Sequence, residues 1–123
     1  MDHPILVVDD EVDLVVTYER LLRRQGCRMV PAGTCQAALM ALKSQLFSLV
    51  IADLRLPDGD GLEIVRAARA LPTPPPVLVA TGLASRATRD VALAAGAAAF
   101  LAKPFAADAF GRMVRELLRQ PSL

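Results

Sequence analysis

Residues 5–13, ILVVDDEVD, run from an unbroken apolar segment straight into a cluster of acid. Ile5 to Val8 reads as a strand buried on both faces, because a strand with one solvated face would alternate apolar with polar residues. Asp9, Asp10 and Glu11 follow at once, with Asp13 close behind. Adjacent carboxylates repel one another, so such a group persists only where it is solvated, caps a helix or holds a cation.

Four more short apolar runs extend this pattern: Cys27 to Val30, Ser48 to Ala52, Pro76 to Ala80 and Ala98 to Ala102. Segments with helical spacing separate them. Val12 to Gln25 puts Leu14, Tyr18, Leu21 and Leu22 on one face, and Ala107 to Arg119 does the same with Phe110, Met113, Val114 and Leu117. Strand alternating with helix predicts an α/β fold, a parallel sheet with helices on both faces. Gly26 and Gly96 fall just past two of the helices, where a residue able to take positive φ ends them. Asp60 and Glu63 have the spacing of a capping box opening the third helix. LPTPPPV, residues 71–77, cannot be helical and reads as a connection. The fourth helix, Ser85 to Ala95, is expected to expose Arg86, Arg89 and Asp90 over a thin core face of alanine with Val91 and Leu93.

A chain of 123 residues suits a single domain, 1–123, with a core of about 5–118 and residues 119–123 as a tail or the start of a linker. Hydrophobic residues make up 54% and the net charge is +1, which excludes a disordered chain and leaves no electrostatic footprint for nucleic acid. No long uncharged apolar stretch stands out, so a soluble, cytoplasmic protein with no membrane contact is expected. Cys27 and Cys35 lack the spacing of a zinc or redox pair and read as small buried thiols.

In a doubly wound sheet, ligands bind outside the carboxyl ends of the strands. The first strand ends in Asp9 and Asp10, the third in Asp53 of IADLRLPDGDG, the fourth in Thr81 of VATG and the fifth in Lys103 of FLAKPF. Taken singly, Asp10 reads as a helix cap, Asp53 as a turn residue, Thr81 as a strand-end hydroxyl, Lys103 as a solvated loop lysine and Phe100 as core. Their convergence on one sheet edge argues for a cation site with Asp53 as its third wall.

The set VVDDE, IADLRLPDGDG, VATG and FLAKPF, in this order over five strand-helix units, resembles the receiver domain of two-component response regulators from about Ile5 to Leu118. That resemblance implies a flavodoxin-like doubly wound sheet of order 2-1-3-4-5 with five helices. It implies that Asp53 is the phosphoacceptor, that Asp9 and Asp10 form an acidic pair, and that Thr81, Phe100 and Lys103 fill the hydroxyl, aromatic switch and lysine positions. A cis peptide before Pro104 is implied as well. The implied role is signalling rather than metabolic catalysis: a sensor histidine kinase or phosphotransfer protein delivers a phosphoryl group to Asp53. The fourth helix, fifth strand and fifth helix then change their surface for an output domain or target, or for a phosphorylation-dependent dimer.

Phosphoryl transfer to a carboxylate brings anions together, so the site must supply positive charge and in-line positioning. Magnesium, or manganese in its place, suits an oxygen set of the Asp10 and Asp53 carboxylates with the Arg55 backbone carbonyl and waters, Asp9 acting mainly through a metal-bound water. Lys103 can pair with Asp53 or with a phosphoryl oxygen, Thr81 can donate to another, and small Gly82 leaves room for the group. Arg55 and Leu83, two residues past Asp53 and Thr81, are expected to shield it from water. A magnesium-dependent phosphohydrolase would instead carry D-x-D after the first strand, and a flavodoxin-like cofactor binder would offer bare amides and hydroxyls where this first loop is acidic. A receiver that binds partners without phosphorylation would not need the full set of Asp9, Asp10, Asp53, Thr81 and Lys103.

Overall fold

A computed structural model describes residues 3–119. Its elements are β1 (Ile5–Val8), α1 (Val12–Arg23), β2 (Met29–Ala32), α2 (Cys35–Ser44), β3 (Leu49–Ala52), α3 (Leu62–Arg69), β4 (Val77–Thr81), α4 (Arg86–Ala95), β5 (Ala99–Ala102) and α5 (Ala107–Arg119). All five strands pair in parallel, in the order 2-1-3-4-5. The resemblance implied that order. Between β3 and α3 lies a small antiparallel hairpin, Arg55–Leu56 against Gly59–Asp60.

Every residue of β1 and β3 is buried, as their unbroken apolar runs required. Successive side chains of a strand point to opposite faces, so each strand feeds two cores. Ile5, Val7, Leu49, Ile51 and Leu78 meet Tyr18 and Leu22 of α1 and Phe110, Val114 and Leu117 of α5. Leu6, Val8, Val50 and Val79 meet Ala38 and Leu42 of α2, Ile64 and Val65 of α3 and Ala92 of α4. Each fully buried Val, Leu, Ile or Phe contributes roughly 1.5–3 kcal/mol of transfer free energy, so these two layers hold the sheet edge in place. Phe105 and Phe110 stack with ring centroids 5.1 Å apart, and Tyr18 closes the cluster 5.4 Å from Phe110.

Several local expectations need correction. Strand β2 starts two residues later than the apolar run suggested and includes Pro31. An edge strand tolerates proline, whose missing N–H costs nothing on the unpaired side. Helix α1 ends at Arg23 rather than Gln25, and Gly26, at φ 76°, closes the turn beyond it. Gly96, at φ 115°, ends α4. No capping box joins Asp60 to Glu63; Asp60 instead accepts from the Leu62 amide two residues on, at 2.9 Å. The reciprocal box opens α4, where Ser85 and Thr88 each accept the other's amide. Val91 is half exposed rather than part of the core face of α4, which rests on Ala92. Cys35 is buried and Cys27 half buried, and neither forms a disulfide. Of the expected tail, residues 120–123 lie outside the described residues. Among the described residues, no helix is long and apolar enough to cross a membrane.

Candidate functional site

Backbone pairing delivers the functional side chains to one edge. The Asp9 amide donates to the Ala32 carbonyl, that of Asp53 to Val8 and that of Lys103 to Thr81, each at 3.0 Å. These bonds continue the parallel ladders one step past the strands, so Asp9, Asp53 and Lys103 inherit the rigidity of the sheet. The Lys103–Pro104 peptide is cis.

Asp9, Asp53 and Thr81 are the buried polar residues here. Lys103 Nζ lies 2.5 Å from Asp9 Oδ2 and 2.8 Å from Asp53 Oδ2, with Glu11 farther off at 3.6 Å. The other acceptor oxygens are engaged by backbone. Asp53 Oδ1 accepts from the Arg55 amide at 3.3 Å, and Asp9 Oδ1 from the Glu11 amide at 2.9 Å. Burial works against the Lys103 ammonium, but hydrogen bonds and charge from Asp53 and Asp9 outweigh it and hold the lysine above its ordinary range. Thr81 Oγ1 accepts from the Leu83 amide at 3.1 Å.

A cavity of about 600 Å³ opens over this cluster, lined by Asp10, Glu11, Asp53, Arg55, Leu56, Pro57, Thr81, Gly82, Leu83 and Lys103. All the predicted site residues therefore border it except Asp9, which is buried and paired with Lys103, and Phe100, which is half buried in β5 and packs against the core on the sheet face that carries α4. Carboxylate oxygens of Asp9, Glu11 and Asp53 lie within 4.8 Å of one another, an all-oxygen set of the kind hard divalent cations prefer. Glu11 enters this set where the sequence pointed to Asp10. Asp10 is exposed at the cavity wall, and its carboxylate has no hydrogen-bond or ion-pair partner among the described residues.

The loop after Asp53 folds back sharply. A Cβ on Gly61 would sit 2.0 Å from the Asp53 carbonyl oxygen, so only glycine allows this approach. The hairpin at 55–60 has a sequence signal, Pro57-Asp58-Gly59, that marks a turn between two apolar runs. Asp58 at its tip accepts from the first two amides of α2, and those bonds, Gln36 and then Cys35, hold its carboxyl below the usual carboxylate range.

A parallel 2-1-3-4-5 sheet carrying an acidic pocket, a partly buried lysine and a hydroxyl at its carboxyl edge defines a receiver-type signalling domain. The chain belongs to the response regulator receiver domain family, whose model matches residues 5–115. It is 33% identical over 116 residues to the transcriptional regulatory protein FixJ of Bradyrhizobium diazoefficiens, covering 94% of this chain and 57% of that protein. To the KDP operon transcriptional regulatory protein KdpE of Escherichia coli it is 34% identical over 118 residues, covering 96% and 52%. The non-phosphorylated HemR receiver domain from Leptospira biflexa superimposes with a TM-score of 0.91 at 29% identity, covering 99% of this chain and 98% of that one. The beryllofluoride-activated NtrC4 receiver domain dimer gives 0.87 at 30% identity, covering 94% and 95%. The chain spans between 24% and 57% of the length of the curated relatives it matches.

Proposed function

We propose that this domain is a magnesium-dependent phosphoacceptor. A phosphoryl group passes from the phosphohistidine of a sensor kinase or phosphotransfer protein to Asp53 in the cytoplasm, and the domain has no metabolic substrate. One observation carries the reading: the Asp53 carboxylate faces the cavity with one oxygen on a backbone amide and the other on the Lys103 ammonium. That arrangement holds a nucleophile in place and keeps beside it a cation that can follow the charge.

The donor set at the cavity floor fits magnesium, with manganese an acceptable substitute. Asp9, Asp10 and Asp53 with the Arg55 carbonyl would hold it. When bound, it neutralises carboxylate and phosphoryl charge. Lys103 leaves Asp53 Oδ2 and pairs with a phosphoryl oxygen as that carboxylate oxygen attacks phosphorus. The histidine nitrogen departs with the bonding pair. Thr81 turns its hydroxyl from the Leu83 amide to donate to a second phosphoryl oxygen, beside Gly82. The movement of Thr81 makes room for Phe100 to turn inward and alters the face of α4, β5 and α5. That face is the proposed contact for an output domain or target protein, and for a phosphorylation-dependent dimer. The chain itself needs no nucleic acid or membrane for this.

Incubation with magnesium and phosphoramidate should add one phosphoryl group to the intact mass, and EDTA should prevent it. An unchanged mass in magnesium would contradict the proposal.

Asp10 and Glu11 make competing claims on the cation. The uncommitted Asp10 carboxylate is assigned as ligand, whereas Glu11 is already drawn to Lys103. Asp10→Asn should weaken magnesium binding by about tenfold or more, and Glu11→Gln by much less; titration calorimetry distinguishes them, and the reverse order would move the ligand to Glu11.

The phosphorylated state should be long-lived. Hydrolysis needs a water placed in line and a polar group to orient it. Leu83 and the exposed Arg55 border the cavity. Leucine offers no acceptor, and a guanidinium donates to phosphoryl oxygens but accepts no proton. Leu83→Glu and Arg55→Asn should each speed phosphate loss in excess magnesium. If neither does, these side chains do not shield the site.

A further inference from the structure

The hairpin after β3 is fastened to α2 by its own tip. Asp58 Oδ1 accepts from the Cys35 amide at 2.7 Å and Oδ2 from the Gln36 amide at 3.0 Å. Cys35 Sγ donates to the Asp60 carbonyl at 3.5 Å, and a Cβ on Gly59 would come within 3.2 Å of that sulfur. Three successive hairpin residues thus rest on the first residue of α2. Within the hairpin Arg55 pairs with Asp60, so the place of Arg55 is set from the far strand. At 3.3 Å the bond from the Arg55 amide to Asp53 Oδ1 is already long, and a small displacement of the hairpin would break it.

We infer that Asp58 is a positioning residue for the acceptor, clamping the hairpin to the N-terminus of α2 so that the Arg55 amide keeps the Asp53 carboxylate in its attacking orientation. The inference rests on the phosphoacceptor reading of Asp53. It adds a role for a residue that touches neither phosphoryl group nor cation. Once Lys103 has moved to the incoming group, the Arg55 amide is the remaining hydrogen bond on that carboxylate. Orientation of a nucleophile is worth large factors in rate, and a misplacement of about 1 Å can cost on the order of a hundredfold. Helix α2 thereby becomes part of the site although none of its residues lines the cavity.

Thr34 supplies the control, because its hydroxyl accepts from the Ala37 amide and so caps the same helix without touching the hairpin. Phosphoramidate uptake is followed in wild type, Asp58→Ala, Asp58→Asn and Thr34→Ala, well below the melting temperature of each. Exchange of the Arg55 amide is measured by NMR without donor. Asp58→Ala should slow uptake about tenfold or more and speed Arg55 exchange. Asp58→Asn, which keeps one acceptor oxygen, should fall between, and Thr34→Ala should lower the melting temperature while matching wild type in both readouts. The clamp is overturned if Asp58→Ala leaves uptake and Arg55 exchange unchanged, or if Thr34→Ala slows uptake equally. Should wild type take up no phosphate, the phosphoacceptor reading fails, and Arg55 exchange alone still decides whether Asp58 holds the hairpin.

Discussion

Replacing Asp53 with alanine or asparagine should abolish phosphoryl uptake while leaving the fold intact. Among the described residues no other carboxylate combines the same burial, lysine contact and open cavity: Asp9 is buried and does not line the cavity, and Asp10 is at the exposed wall. The fold survives because the backbone of Asp53, not its side chain, continues the ladder to Val8. Asparagine keeps an oxygen for the Arg55 amide and removes one of three carboxylates gathered around a single ammonium. Asp53→Asn should therefore melt at or above the wild-type temperature without magnesium, and magnesium should stabilise it less. Residual uptake by Asp53→Ala, measured as intact mass after exposure to phosphoramidate, would contradict the assignment.

The second large effect is expected at Lys103. Its side chain is 10% exposed and bridges Asp9 and Asp53, whose side chains are 1% and 11% exposed. Removing one partner of a buried ion pair costs about 3–5 kcal/mol, and because Lys103 and Asp53 keep part of their surface exposed the lower figure applies. Lys103→Ala should lower the melting temperature in EDTA by about 10 °C or more. Magnesium should restore most of the loss, since a cation that binds only the folded state replaces the missing charge. Its affinity should rise as well, because the ammonium no longer repels it, yet uptake should slow for want of a group to follow the phosphoryl charge. An equal loss of stability with and without magnesium would show that Lys103 acts through packing alone.

The same residue has a pH signature. Its pKa is raised in the folded state, so its contribution is complete below the unfolded value of about 10.4 and is lost as pH rises through the folded value. Tyr18 adds a loss in the same direction, because burial first, and then Asp9, Asp53 and Glu11, oppose its ionisation. Lys103→Met should flatten the alkaline decline of the melting temperature only in part, leaving the share that Tyr18→Phe removes.

Most of the architecture was legible from periodicity, for a physical reason. Strands buried on both faces must be apolar throughout, and β1 and β3 are, while α1 and α5 show their core faces at helical spacing. Reading failed where a local rule depends on tertiary surroundings. Pro31 looks like a strand breaker until β2 is known to lie at the sheet edge. Val91 looks like core until α4 is seen to rest on Ala92. The edge of the site was visible because strand ends in a parallel sheet converge by topology. Glu11 and Asp58 were not, since each acquires its place from a contact across the fold, with Lys103 and with the amides of α2.

The most direct measurement of the central claim is to trap the acyl phosphate chemically. After incubation with magnesium and phosphoramidate, borohydride reduces an aspartyl phosphate to homoserine, and peptide mass spectrometry locates the altered residue. Homoserine at position 53 alone, absent when EDTA replaces magnesium, is the expected result; homoserine at position 9, 10 or 58, or at none, would contradict it.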